Sequence, residues 1–404
     1  MATSRTSLAR PILLDCSRLV LRGHRPAPTG IDRVERAYLT ELLRREVDLW
    51  GLARIPGDVL LFDRGALQAM AIDKADAALD IRGHLTPWRD ADRRRAEAAA
   101  RRRATHRAPA RELARLLRTA PASPIYLNIG HTNLRAETMA ALSAIGATIV
   151  VMIHDTIPLD HPDLVRAGTE AAFRRRLAAV SGAADLVLYP SAATAGDAER
   201  WCATLGRVPS GAVLPLGLAP PEPVEARVSD PPAFVTLGTI EPRKNHALLL
   251  DIWERLTETR GADAMPHLHV IGARGWAAPA LLRRLEHGAA TGKTVFHLGP
   301  LPDAEVRARL AGSLGLLFPS LAEGFGLPIA EALQLGVPVL ASDLPALRAT
   351  GGSHARYLPL NDPDAWTAAI LAQARPDAPR PAKIRFQDWE THVNELLTRL
   401  SAMV

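Results

Sequence analysis

SLAEGFGLPIAEALQLG, residues 320–336, follows an apolar run from Leu314 to Phe318 that predicts a buried strand, and it opens a helix. Pro328 falls where the first helical turn starts and needs no N–H donor. Gly336 falls where a left-handed residue ends the helix. Gly324, Gly326 and Pro328 thus form a bend between strand and helix, in which a ligand can approach bare backbone and the free amides can receive an anion. Two carboxylates flank the bend eight positions apart, Glu323 before it and Glu331 beyond it in the first helical turn. They repel phosphate but accept hydrogen bonds from sugar hydroxyls, worth about 1.5–3 kcal/mol each for a charged acceptor. Amides for a diphosphate beside acids for two sets of hydroxyls describe a nucleotide-sugar site. The plainer reading of Glu331 is a carboxylate favoured by a helix dipole.

Outward from this stretch, three further segments place polar groups at strand ends. After Phe234 to Leu237, a predicted strand, comes Glu241-Pro242-Arg243-Lys244-Asn245, in which Asn245 is expected to cap a helix bearing Leu248, Ile252, Trp253 and Leu256 on one side. Two cations just ahead of a helix suit a diphosphate whose charge grows as a sugar leaves. Thr148 to Ile153, a β-branched run, predicts a central parallel strand and delivers His154 and Asp155 to its C-terminal edge, where open α/β sheets bind ligands. Near the start, PILLD (Pro11 to Asp15) reads as a strand. Thr29-Gly30-Ile31-Asp32-Arg33 then opens a helical pattern of Ile31, Val34, Tyr38 and Leu42, with Gly30 at the junction.

Glu323 to Glu331 resembles the E-x7-E signature of family 4 of the retaining glycosyltransferases, which have the GT-B fold. EPRKN resembles that family's phosphate loop, and His154-Asp155-Thr156-Ile157-Pro158-Leu159 and PTGIDRVERAYLTEL resemble segments of its mannosyltransferase-like branch, whose members build bacterial surface polysaccharide. The resemblance covers nearly the whole chain. It implies that Glu323 holds donor-sugar hydroxyls and Glu331 the ribose, that Lys244 and Arg243 hold the diphosphate, and that His154 lies by the leaving phosphate as a hydrogen-bond partner. Gly324, Phe325, Gly326 and Leu327 join Gly30 in the donor site, and Thr29, Gly30 and Asp155 form the acceptor and phosphate loop. One family arginine is replaced by Thr239.

The implied reaction moves a sugar, GDP-mannose being favoured among donors, to a saccharide or lipid-linked saccharide acceptor, with no cofactor and no metal. The alternatives are a GT-B sugar-nucleotide epimerase, a glycoside phosphorylase and a non-catalytic sugar-nucleotide-binding protein.

A chain of 404 residues, 48% hydrophobic, predicts two domains. The fold class expected is α/β: two Rossmann-like parallel-sheet domains facing across a cleft. They are placed at 1–217 for the acceptor and 233–384 for the nucleotide sugar, with a linker at 218–232 and a final helix, 385–404, packing back on the first domain. Other strands are expected at Leu49 to Ala53, Val59 to Phe62, Asp185 to Tyr189 and Ala212 to Leu216, and Trp276 is expected to pack rather than to line the base. Only 4% aromatic residues argue against nucleic acid, despite a pI near 9.8. Cys16 and Cys202 form no metal or redox spacing. No apolar run reaches the roughly 18 residues of a membrane span, which predicts a cytoplasmic protein. Eleven arginines against four acidic residues between Arg89 and Arg118 give +7, where the whole chain carries +6. That segment is either a solvated helix broken by Pro109 or a cationic patch for peripheral contact with an anionic membrane or lipid-linked acceptor.

Overall fold

The computed structural model describes residues 8–23, 28–72, 78–84, 86, 90–220 and 222–403. Two sheets form it. Strands β1 (Ile12–Asp15), β2 (Leu49–Ile55), β3 (Asp58–Phe62), β4 (His106–Pro109), β5 (Ile125–Asn128), β6 (Thr148–Met152), β7 (Leu186–Tyr189) and β8 (Ser210–Val213) make the first, in the order β4-β3-β2-β1-β5-β6-β7-β8. Strands β9 (Ala233–Leu237), β10 (His267–Ile271), β11 (Val295–Gly299), β12 (Gly315–Phe318), β13 (Val339–Ser342) and β14 (Arg356–Leu358) make the second, ordered β11-β10-β9-β12-β13-β14.

The central strands of both sheets are buried on both faces, which is why they read as unbroken apolar runs. Ile12 and Leu14 enter one core and Leu13 the opposite one. In the second sheet Leu317 enters one core, and Leu316 and Phe318 the other. The second sheet is parallel throughout, as the alternation of strand and helix predicts. The first departs from that pattern: β2, β3 and β4 pair antiparallel.

The arginine-rich segment belongs to this antiparallel edge. The helix Ala91–Arg103 is capped by Asp90, whose side chain accepts from the Arg93 N–H at 2.8 Å, and it ends before Pro109. Pro109 does not break that helix. It lies in the edge strand β4, where a missing N–H costs no ladder bond. Ala96, Ala98, Ala99 and Ala100 are buried, and so is Arg101, paired with Asp80 at 2.5 Å and reaching Asp58 at 3.7 Å. Six of the helix's 13 residues, Ala96 to Arg101, are therefore interior, and the solvated-helix expectation fails there.

The final helix, Trp389–Ser401, returns to the first lobe, where Val393, Leu396, Leu397 and Leu400 share a core with Ile12 and Leu42. Tyr38 and His392 seal the seam through a 2.6 Å hydrogen bond, and the other His392 nitrogen donates to the Pro215 carbonyl at 2.7 Å.

Candidate active site

The C-terminal edges of the two sheets face each other across a cavity of about 480 Å³. Thr29, Gly30, His154 and Asp155 line it from the first lobe. Arg243, Lys244, Glu323, Gly324, Phe325, Gly326, Leu327 and Glu331 line it from the second. Every site residue expected from the sequence thus meets at one crevice.

Glu323 is the centre of the second lobe's wall. Its Oε1 receives Lys244 Nζ at 2.5 Å and Arg243 Nη1 at 2.7 Å, while Arg243 Nη2 donates to Glu241 at 2.7 Å. Burial alone would raise the Glu323 pKa, and the two cations pull it down to about 2. Burial pushes the Lys244 ammonium below its ordinary value against the pull of Glu323. For Arg243, Glu323 and Glu241 outweigh burial and raise the pKa. Lys244 also lies 4.5 Å over the Phe318 ring, and a Cβ at Gly238 would come within 3.0 Å of its Cε. Its long side chain is therefore held between the ends of β9 and β12, with the charge at the cavity wall.

Local backbone explains the loop ahead of it. Pro242–Lys244 form a 3-10 turn that Asn245 ends at φ 50°, in the left-handed region that asparagine tolerates. Its side chain makes no capping bond, which corrects the expected role for Asn245. In the bend, Gly326 takes φ 87° and the helix Leu327–Gln334 follows, with Gly336 at φ 71° beyond its end. Glu331 lies one turn into this helix rather than in its first turn, so the dipole reading loses its basis. Its carboxylate instead pairs with Arg33 of the opposite lobe.

His154 projects from the end of β6. Its Nε2 donates to the Ile129 carbonyl at 2.7 Å, its backbone N–H donates to His131 Nε2 at 3.0 Å, and burial takes its pKa down to about 4. The ring is therefore neutral near pH 7, with Nδ1 as an acceptor only. Burial raises the pKa of Asp155, with Arg243 opposing. Thr29 and Gly30 are fixed by Asp32, which accepts the Thr29 N–H at 2.8 Å and its hydroxyl at 2.7 Å.

The lobes touch at Gly324. A Cβ there would stand 1.9 Å from the His154 carbonyl oxygen, and the Gly324 carbonyl accepts from Ser191 and Thr194, each at 3.1 Å. Phe325 and Leu327 pack on the first lobe's core. Two cations that line the cavity were missed in the sequence, Arg18 and Arg33. Arg18 lies three positions beyond β1, at the edge where α/β sheets gather ligands, and that rule would have found it. Arg33 closes the Thr29–Arg33 motif but carried no role. Trp276, half-buried, is not among the residues lining the cavity.

Residues 231–375 match the family model described as glycosyl transferases group 1. The second lobe is a glycosyl transferases group 1 domain. The chain is also homologous to serotype-specific mannosyltransferase WbdA of Escherichia coli, 27% identical over 429 aligned residues that cover 97% of this chain and 46% of that protein. It matches O-antigen chain mannosyltransferase B of the same organism at 37% over 143 residues, 35% of this chain and 36% of that one. The chain spans about half the length of the WbdA relatives it matches. Among solved structures, Anabaena Alr3699/HepE in complex with UDP aligns with TM-score 0.60 at 14% identity, covering 97% of this chain and 100% of that one. Sucrose-phosphate synthase from Thermosynechococcus elongatus aligns with TM-score 0.57 at 15%, covering 98% and 97%. The glycosyl transferases group 1 domain and its partner lobe thus form a GT-B fold.

Proposed function

We propose that the chain is a retaining glycosyltransferase that moves mannose from GDP-mannose to a hydroxyl of a saccharide or lipid-linked saccharide in surface-polysaccharide synthesis. The observation that carries the reading is Glu323, held ionised between Lys244 and Arg243 at the mouth of the Gly324–Leu327 bend and facing His154 across the cavity. The mannosyltransferase names of the relatives support the choice of donor sugar, and the O-antigen name supports the acceptor class.

In this reading the diphosphate lies against the bend's amides and the two cations, which stabilise the charge growing on the leaving phosphate without a metal. Glu323 then accepts from donor-sugar hydroxyls, and Glu331 from the ribose after Arg33 yields its place. His154 Nδ1 accepts from a hydroxyl of the sugar or the acceptor. No carboxylate is assigned as nucleophile. The leaving phosphate takes the acceptor's proton as the new bond forms on the same face of the sugar. Peripheral contact with anionic membrane is carried by the outward Arg95, Arg102, Arg107, Arg111, Arg115 and Arg118, exposed along the first sheet's edge.

Lys244→Ala, Glu323→Ala and His154→Ala are each expected to lose about 10²- to 10³-fold in turnover while remaining folded. NMR of the product should show the donor's anomeric configuration retained, with chelator present. Normal turnover in any two variants, or an inverted product, would defeat the reading.

A further inference from the structure

The loop after β5, Gly130-His131-Thr132-Asn133, places two non-glycine residues in the left-handed region, His131 at φ 57° and Asn133 at φ 62°. Such conformations persist only where surroundings impose them, and they collect at functional sites. Here the surroundings are buried polar bonds. Asn133 donates to Asp15 at 2.9 Å, Asn128 donates to the Thr132 carbonyl at 2.7 Å, and His131 accepts the His154 N–H at 3.0 Å.

Arginines gather over this loop. Arg135 lies two positions beyond it, immediately ahead of the helix Ala136–Ser143. Phe173, on the helix Thr169–Ala183, meets the His131 ring edge-on at 5.9 Å. Arg176 stands one turn further along, beside the buried stripe of Phe173, Leu177 and Val180. Arg18 approaches from the cavity. Arg176 keeps solvent contact, yet partial desolvation and the charges of Arg135, Arg18 and Arg175 lower its pKa, and no carboxylate offsets them.

The acids near by are occupied elsewhere. Asp32 serves Arg18 and Arg22 together, Glu137 pairs with Arg54, and Glu170 pairs with Arg174. Glu35 is fully buried with neither carboxyl oxygen hydrogen-bonded, and burial and Asp15 hold its pKa well above the usual range. Among the described residues, Arg135, Arg175 and Arg176 have no ion-pair partner. Positive charge therefore collects uncompensated beside the His131–His154 pair, whose rings lie 5.0 Å apart.

We propose that Arg18, Arg135 and Arg176, set over the Gly130–Asn133 loop, bind a phosphate or diphosphate group carried by the acceptor. Guanidinium forks match phosphate oxygens, and the repulsion between Arg135 and Arg176, which have no carboxylate partner of their own, is relieved by an anion beside them, with Arg18 reaching it while held by Asp32. The site lies on the first lobe, reached from the cavity wall that Arg18 forms, whereas Lys244 and Arg243, which take the donor's diphosphate, line the same cavity from the second lobe. The assignment of the anion to an acceptor rests on the glycosyltransferase reading; the anion site itself does not.

The test uses the Arg135→Ala/Arg176→Ala double variant, both positions exposed, with the donor cavity saturated by GDP. Inorganic pyrophosphate is expected to bind the wild type and to lose about tenfold or more of its affinity in the variant. Equal binding by the two proteins overturns the site. With one saccharide offered either as a neutral alkyl glycoside or on a polyprenyl-type diphosphate, the variant's KM should rise only for the diphosphate form. Loss of binding to anionic phospholipid vesicles with both KM values unchanged would assign the anion to a lipid headgroup and overturn its placement on the acceptor. Absence of all transfer in the wild type would sink the glycosyltransferase reading, and the pyrophosphate titration would still decide the site.

Discussion

Gly324 shows how much a single residue can decide. Its missing side chain lets the second lobe rest on the His154 carbonyl, and a Cβ would meet backbone that has no room to give. Gly324→Ala is expected to hold the lobes apart and lower turnover by about 10²-fold or more, as small misplacements of reacting groups do. Unchanged turnover with an unchanged circular dichroism spectrum would show the contact to be incidental. The residue types of the site were legible in sequence because motifs fix them: Glu323, Glu331, Lys244 and His154 all reach the cavity. Their partners were not. Arg33 lies 298 positions before Glu331, and no local pattern announces such a pair. Asn245 was misread for a local reason, since its backbone turned left-handed instead of entering a cap.

Among elements, the strands buried on both faces could be read directly, and the exposed ones could not. Thr148–Met152 lies within the predicted span, whereas β8 runs Ser210–Val213 instead of Ala212 to Leu216, because an edge strand with exposed residues carries no apolar signature. Of the antiparallel edge, β2 and β3 fall on expected strands, and what escaped was their antiparallel pairing and β4, the half-exposed His106–Pro109. The seam between the helices Gly30–Leu43 and Trp389–Ser401 is where element packing can be tested. His392 donates through Nδ1 to Pro215, so its Nε2 must accept from the Tyr38 hydroxyl. Tyr38→Phe leaves that nitrogen buried and unpaired, at a cost of about 1–3 kcal/mol. Thermal unfolding should report a fall of about 2–4 °C per kcal/mol lost. An unchanged Tm would mean that the hydrogen bond adds nothing to the seam.

The molecule as a whole carries a pH signature. Burial first of all drives the pKa of His154 to about 4, of His246 to about 3 and of His392 to about 4, and that of His131 well below its ordinary value. Each stays neutral in the fold while the unfolded chain takes up its proton below about pH 6.5. Their neutrality therefore stabilises the fold fully above that pH. The contribution fades as pH falls from 6.5 toward 4, by up to about 1.4 kcal/mol per unit for each histidine. Glu323 adds a later loss, between its unfolded value near 4.5 and about 2. Thermal unfolding across buffers should give a level Tm above pH 7 and a drop of about 10 °C or more by pH 5. A flat profile down to pH 5 would show that these imidazoles do not set acid stability.

The central claim is that the crevice between the lobes takes a nucleotide diphosphate sugar on Lys244, Arg243 and Glu323. Calorimetric titration of GDP-mannose into the wild type and into Lys244→Ala tests it most directly. The account predicts saturable one-site binding by the wild type and a loss of about tenfold or more in the variant, as one charge-assisted contact is removed. Equal affinity in the two proteins, or no binding of GDP-mannose or of any other nucleotide sugar by the wild type, would contradict it.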